Sequence, residues 1–126
     1  MGSSRVPRVP RSGVGEIMSA TQMAAALVTA PEVLGLDSRV DFRRTAIELI
    51  EQMGPAADRL VIDFSRSRQI DSAGLGALML VQRRAAERGQ QVVLRNLNDE
   101  MRFLLVLTRL DQLFVFETSK GGAYRS

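Results

Sequence analysis

Apolar residues fall along this chain in separate blocks, and the spacing inside each block selects an element. Phe42, Ala46, Leu49, Ile50 and Met53 recur at i, i+4, i+7, i+8 and i+11, one side of an α-helix that Gly54-Pro55 ends. Ser38, with Asp41 three residues on, resembles a capping box at its start. A second helix begins at Ser72, carries Leu75, Leu78, Val81 and Ala85 on one face, and stops at Arg88-Gly89. Met101, Leu104, Leu105 and Thr108 mark a third, with Asn98 as cap and Asp99 and Glu100 in its first turn, where the helix dipole favours acid. Between these blocks, Leu60 to Phe64 is an apolar run interrupted only by Asp63, the look of a central strand covered on both faces. Val92 to Leu94 and Phe114 to Phe116 read as further strands. Ahead of the first helix, Ala24 to Thr29 and Glu32 to Leu36 are short strands broken at Pro31, which cannot sit inside a ladder. Strands alternating with helices after a β-rich start predict the α/β class, a single domain with a mixed, largely parallel β-sheet and about three main α-helices packed against it.

The ends of the chain lack such blocks. Residues 1–17 contain Pro7, Pro10, three glycines and three arginines but few large apolar side chains, which predicts a disordered N-terminal tail. The domain is expected over residues 18–117, with a flexible C-terminal tail at 118–126. Arg5, Arg8 and Arg11 before the apolar stretch Met23 to Val28 imitate a signal peptide, but the stretch is short and Ala-rich, and a first strand explains it better.

Composition removes several kinds of chemistry. The 126 residues include no Cys and no His, so disulfides, thiolate nucleophiles, Cys/His zinc sites and imidazole relays are excluded. A sequence pI near 10.5 suggests nucleic acid until the charges are counted: 17 Lys and Arg against 14 Asp and Glu leave only +3. Three tail arginines against Glu16 supply +2 of that. With one Tyr and no Trp for stacking, no direct nucleic-acid binding is expected. No apolar run is long enough to cross a bilayer, so no membrane insertion is expected.

The informative stretch runs from Asp63-Phe64-Ser65 to Ile70-Asp71-Ser72-Ala73-Gly74-Leu75-Gly76. A buried strand ends, a polar loop with Arg66 and Arg68 follows, and Ser72 stands where a helix begins, in the position of an N-cap. Gly74 and Gly76 each cost up to about 1 kcal/mol relative to Ala in a helix, so bare backbone there points to another surface approaching closely. Each residue also has a plainer reading. Ser72 can be a cap and nothing more, and Gly74-x-Gly76 is only half of a dinucleotide fingerprint. Arg66 and Arg68 can be solvated loop residues, while Met79 and Leu80 can simply widen the core stripe. Asp63 and Asp71 lack the third carboxylate or the base that metal or acid–base chemistry needs. A hydrolase with Ser72 as nucleophile would lack a group to activate the hydroxyl.

Three stretches resemble the STAS domain of bacterial anti-sigma-factor antagonists. Val61 to Ser65 is similar to that family's apolar strand ending in Asp, and Ile70 to Gly76 to its Asp-Ser-Ser-Gly-Leu-Gly phosphorylation loop. Leu107-Thr108-Arg109-Leu110-Asp111-Gln112-Leu113-Phe114 is similar to its closing Leu-Thr-Gly-Leu-Asp-x-Leu-Phe. The resemblance covers roughly residues 23–117 in order. It implies that Ser72 is the phosphoacceptor, with Asp71 its acidic neighbour and Asp63 the strand-end acid beside it. Asp63, Arg66, Arg68, Asp71, Ser72, Ala73, Gly74, Leu75 and Gly76 then form the partner-binding surface. Ala73 replaces a second Ser of the pattern, and Arg109 a Gly. Gly35-Leu36-Asp37 is a loose match to Gly-Glu-Leu-Asp, and Pro31 to Leu34 also resembles STAS subunits of lipid-transport systems.

The function so implied is that of a binding module, not an enzyme. It would be a cytoplasmic monomer or weak dimer without cofactor or metal, binding a serine-kinase anti-sigma factor and freeing the sigma factor. Phosphorylation of Ser72 would end the complex, and a phosphoserine phosphatase would restore it. The alternative is an accessory STAS subunit of a lipid-transport ABC system, with no phosphorylation.

Overall fold

Central strands form where β-branched and Leu side chains run without interruption. The computed structural model describes residues 25–54 and 56–117. Four parallel strands make the sheet, in the order β1-β3-β5-β6: β1 (Ala25–Thr29), β3 (Arg59–Asp63), β5 (Gln91–Arg95) and β6 (Val115–Glu117). Leu27 pairs with Val61, Val61 with Val93, and Val93 with Val115, so one register runs across all four. Each crossover contains one helix: α1 (Arg39–Gln52), α2 (Ser72–Glu87) and α3 (Asp99–Leu107). Right-handed crossovers, the rule for parallel strands, place all three on one face of the sheet. Leu60, Ile62, Val92 and Leu94 point into that helix-side core, while Val61 and Val93 alternate to the other face and are buried as well. The expected largely parallel α/β architecture stands, and every described pairing is parallel.

The helical stripes pack as their spacing requires. Phe42, Ala46, Ile50 and Met53 of the first stripe are buried, and so are Leu78, Val81 and Ala85 of the second. Met101 and Leu105 anchor α3, whose start is capped by Asn98 Oδ1 accepting from Met101 N at 2.8 Å. Leu105 is fully buried, so Leu105→Ala should cost roughly 2–5 kcal/mol in a urea titration. A loss below about 0.5 kcal/mol would mean that α3 is turned differently.

The structure corrects three local readings. Ser38 stands at the N-cap position of α1 but makes no capping bond. Its hydroxyl donates to Val33 O at 2.7 Å and accepts from Gly35 N at 3.1 Å, closing the turn before the helix instead. A second, two-residue parallel ladder joins β2 (Val33–Leu34) to β4 (Gln69–Ile70), where a plain loop was expected for the latter. The strand expected over Glu32 to Leu36 shrinks accordingly to β2. The expectations for residues 1–17, 18–24 and 118–126 lie outside the described residues.

Arg109, where the resemblance has a glycine, takes a backbone conformation that favours glycine. Its φ of 65° lies in the left-handed region, just before the 3-10 turn Leu110–Leu113. That conformation costs a side-chain-bearing residue roughly 1–2 kcal/mol, partly offset by the greater freedom glycine has when unfolded. Arg109→Gly should therefore raise stability, by up to about 1 kcal/mol in a urea titration. An unchanged or lower midpoint would argue against the strain.

Candidate partner-binding site

β2 and β4 continue the chain beyond the C-terminal ends of β1 and β3, and α1 and α2 both start from this second layer. The bond from Asp71 N to Leu34 O (3.1 Å) ends the ladder and delivers the chain to α2. Here the sequence reading was one residue off. The N-cap is Asp71, not Ser72: Asp71 is extended, its Oδ1 accepts from Gly74 N at 3.0 Å, and its carbonyl accepts from Leu75 N at 2.9 Å. The other carboxylate oxygen, Oδ2, accepts from Leu36 N at 3.4 Å and so spans to the turn before α1.

Ser72 is thereby released. It is the first helical residue, its side chain is exposed, and no described residue hydrogen-bonds its hydroxyl. Backbone N–H groups at a helix start and the positive end of the dipole make this a tolerable place for negative charge. A phosphoryl group there would bring roughly −1.5 to −2 charges beside the Asp71 carboxylate.

The two glycines do different work. A Cβ on Gly74 would overlap the Leu34 carbonyl and touch Ile70 Cγ1, so the surface that needs this bare backbone is the protein's own β2. A Cβ on Gly76 would meet nothing within 4 Å. Only Gly76 leaves the helix open to a visitor. Counting along α2, Ser72, Gly76, Met79, Leu80 and Arg83 share one side. Met79 and Leu80 are each 41% exposed, so they are not the core residues that their spacing suggested. Ala73 and Leu75 flank this side, half-buried, with Leu75 packed against the core.

Two of the expected site residues are engaged elsewhere. Asp63 Oδ1 accepts from Ser65 N (2.9 Å) and Asn96 Nδ2 (2.9 Å), and Oδ2 from Ser65 Oγ (3.1 Å); none of its bonds reaches the Ser72 loop. Burial is the largest single influence on this carboxyl and pushes its pKa up. The bonds from Asn96 and Ser65 and the charge of Arg95 together hold it below the ordinary 3.8. A depressed folded pKa contributes stability that is complete above the unfolded value and lost as pH falls through the folded one. The stability difference between wild type and Asp63→Asn should therefore hold from pH 7 to about 5 and narrow below about 4. A constant difference down to pH 3 would remove Asp63 from acid sensitivity.

Arg68 Nε binds Glu32 at 2.8 Å, and both side chains are exposed, so this pair contributes little stability. Its backbone is better held: Arg68 N donates to Glu32 O at 2.8 Å, and Arg68 O accepts from Asn98 Nδ2 at 3.3 Å. Arg66 is exposed and makes no ion pair among the described residues. The site reading had left out Gly35 and Leu36. A Cβ on Gly35 would run into the Asp71 carboxylate, so this glycine keeps the place that the cap occupies. The loose Gly35-Leu36-Asp37 resemblance was the signal that pointed to them.

Among the described residues no helix is long and apolar enough to cross a membrane, and no cluster of acidic side chains could hold a metal ion. The chain shares its fold with proteins whose sequences have diverged far from it. A candidate anti-sigma factor antagonist of Thermotoga maritima superposes with a TM-score of 0.64 at 18% identity, over 75% of this chain and 79% of that one. The anti-sigma factor antagonist SpoIIAA in its unphosphorylated form gives 0.55 at 19%, over 68% and 76%. A sulfate transporter family protein of Wolinella succinogenes gives 0.60 at 15%, over 77% and 80%. In sequence, a STAS-domain-containing protein of Pseudomonas aeruginosa (strain UCBPP-PA14) is 31% identical over 74 residues, 59% of this chain and 69% of its own. The family model described as "Mlab, STAS domain" matches residues 17–116, which takes in every described strand but the last residue of β6, all three helices and the Ser72 loop; the chain belongs to the STAS domain family.

Proposed function

We propose that this domain is a partner-binding switch of the anti-sigma-factor-antagonist kind, with Ser72 as its phosphoacceptor. One observation carries the reading: Asp71 does the capping, so the Ser72 hydroxyl is exposed and unengaged in the first turn of α2. A kinase can reach it without dismantling the helix start. In the unphosphorylated state the side of α2 from Ser72 through Gly76 to Met79 and Leu80 carries no acidic group and is half-apolar, with Arg83 at its far end and open space over Gly76 for a partner to lie against. That partner is a serine-kinase anti-sigma factor, whose capture frees a sigma factor in the cytoplasm. The phosphorylated state sets a dianion beside Asp71 under the same partner, where an unpaired charge costs several kcal/mol if desolvated. A phosphoserine phosphatase resets the switch.

The test is incubation with a kinase-type anti-sigma factor and ATP, followed by mass spectrometry of the peptide containing Ser72. One phosphate on that peptide, absent from Ser72→Ala, is the expected result. No phosphate, or a phosphate on another residue, would overturn the reading. A second reading is an accessory STAS subunit of a membrane lipid-transport ABC complex, bound through the same side of α2 without phosphorylation. The family model with Mlab in its description favours it, together with the Pro31 to Leu34 resemblance. Co-purification with an ATPase subunit, equal for Ser72→Glu and wild type, would select it.

A further inference from the structure

α3 is apolar on both sides. Met101 and Leu105 face the core, yet Phe103 and Leu107 are each 65% exposed and Val106 is half-exposed. Single exposed apolar side chains are ordinary; several together on the last two turns of one helix mark a surface that something covers. Beside this face lies a groove of about 400 Å³ between α3 and β4, with Ile70, Met101 and Leu104 among its lining residues and Phe103 and Leu107 along it. We propose that this groove is a second docking surface for the partner that covers Ser72, and that it takes an amphipathic helix of that partner, with two apolar side chains one turn apart. The proposal rests on the Ser72 reading.

Three observations select this occupant. The first is continuity. Ile70 lines the groove two residues before Ser72, and the bond from Asn98 to the Arg68 carbonyl ties the loop to the start of α3. A partner seated on Ser72 therefore borders the groove. The second is spacing. Phe103 and Leu107 lie one turn apart, about 6 Å along the axis, which matches side chains at i and i+4 on an incoming helix. The third is charge. Arg68, already bound to Glu32, and Glu100 line the groove, and exposed Arg66, without an ion pair among the described residues, stands two residues before Arg68 in the loop that leads to Ser72. The incoming helix is thus expected to bear a carboxylate toward Arg66. A second copy of the chain is a poorer occupant. Nine residues of helix are about 14 Å long, and one side of them falls well short of the roughly 800 Å² per partner in a stable dimer.

The experiment uses the full chain in the cells that make it, with a photocrosslinking benzoylphenylalanine placed at position 79 on α2 or at position 103 on α3. Both positions should capture the same protein, identified by mass spectrometry. Leu107→Lys, at an exposed position, should lower capture from position 79 at least tenfold while leaving the melting temperature in place. Capture of a second copy, of lipid, of a different protein or of nothing from position 103 would overturn the proposal, as would full capture from position 79 in Leu107→Lys. Ser72→Glu separates the two ideas. If it leaves capture unchanged while Leu107→Lys abolishes it, the groove proposal stands and the phosphoswitch falls. If Ser72→Glu abolishes capture from position 79 and Leu107→Lys does not change it, the switch stands and the groove proposal falls.

Discussion

Ser72→Glu should weaken binding to a kinase-type anti-sigma factor at least about tenfold, whereas Ser72→Ala should bind like wild type. Both variants should stay folded, with stability within about 0.5 kcal/mol of the parent. That last expectation follows from the capping geometry. Were Ser72 the cap, either change would forfeit about 1 kcal/mol. Asp71 provides the cap through Gly74 N, so the hydroxyl can be removed at little cost. Glu at the first helical position meets the favourable end of the dipole but stands beside the Asp71 carboxylate, and these effects oppose each other. Under a docked partner nothing offsets the new charge. Glu carries one charge against nearly two on phosphoserine, so its effect should be a partial copy. Calorimetry gives the affinities and circular dichroism the folding control. Equal affinity for a folded Ser72→Glu would end the switch mechanism.

Gly74→Ala should be the most damaging single methyl in the site, costing about 3 kcal/mol. Helix propensity alone predicts a gain of up to about 1 kcal/mol for this change. The new Cβ, however, would overlap the Leu34 carbonyl, a backbone atom that cannot swing aside. Relief requires α2 to lift from β2, which strains packing by about 1–3 kcal/mol and pulls Gly74 N from its cap, about 1 kcal/mol more. Gly76→Ala is the control, because open space surrounds that position. It should keep the propensity gain and become slightly more stable, while a partner lying on α2 should bind it less well. Urea midpoints for the pair decide the matter. Similar shifts in both would show that the Leu34 contact does not limit residue 74.

The extent to which the sequence could be read varies with how local each cause is. α1, α2 and α3 were legible because their apolar stripes repeat over three or more turns, and β3 and β5 because Leu60 to Ile62 and Val92 to Leu94 are continuous. β4 was not, since Gln69-Ile70 has no pattern of its own and becomes a strand only by pairing with β2 across α1. The same distance hid the role of Gly74. Its spacing from Ser72 announced a need for bare backbone, but not that Leu34 creates the need. The place of Ser72 at the start of α2 was legible, whereas the choice of cap between Asp71 and Ser72 depends on one backbone conformation. Ser38 failed for a like reason: it has the residue type of a cap, but the Val33 carbonyl and the Gly35 amide claim its hydroxyl.

Gly35 and Asp71 also make a pair that evolution must handle together. The carboxylate occupies the volume into which any larger residue at 35 would grow, and the two lie on opposite sides of α1 in sequence. A lineage that replaced Gly35 would have to shorten or redirect residue 71, and with it lose the bond to Gly74 that frees the serine. Among relatives that keep this cap, drift at either position should be coupled to the other. A search pattern for this arrangement of cap and exposed serine therefore needs two halves, a glycine before α1 and Asp-Ser-x-Gly before α2, and either half alone describes a turn that need not leave the serine free.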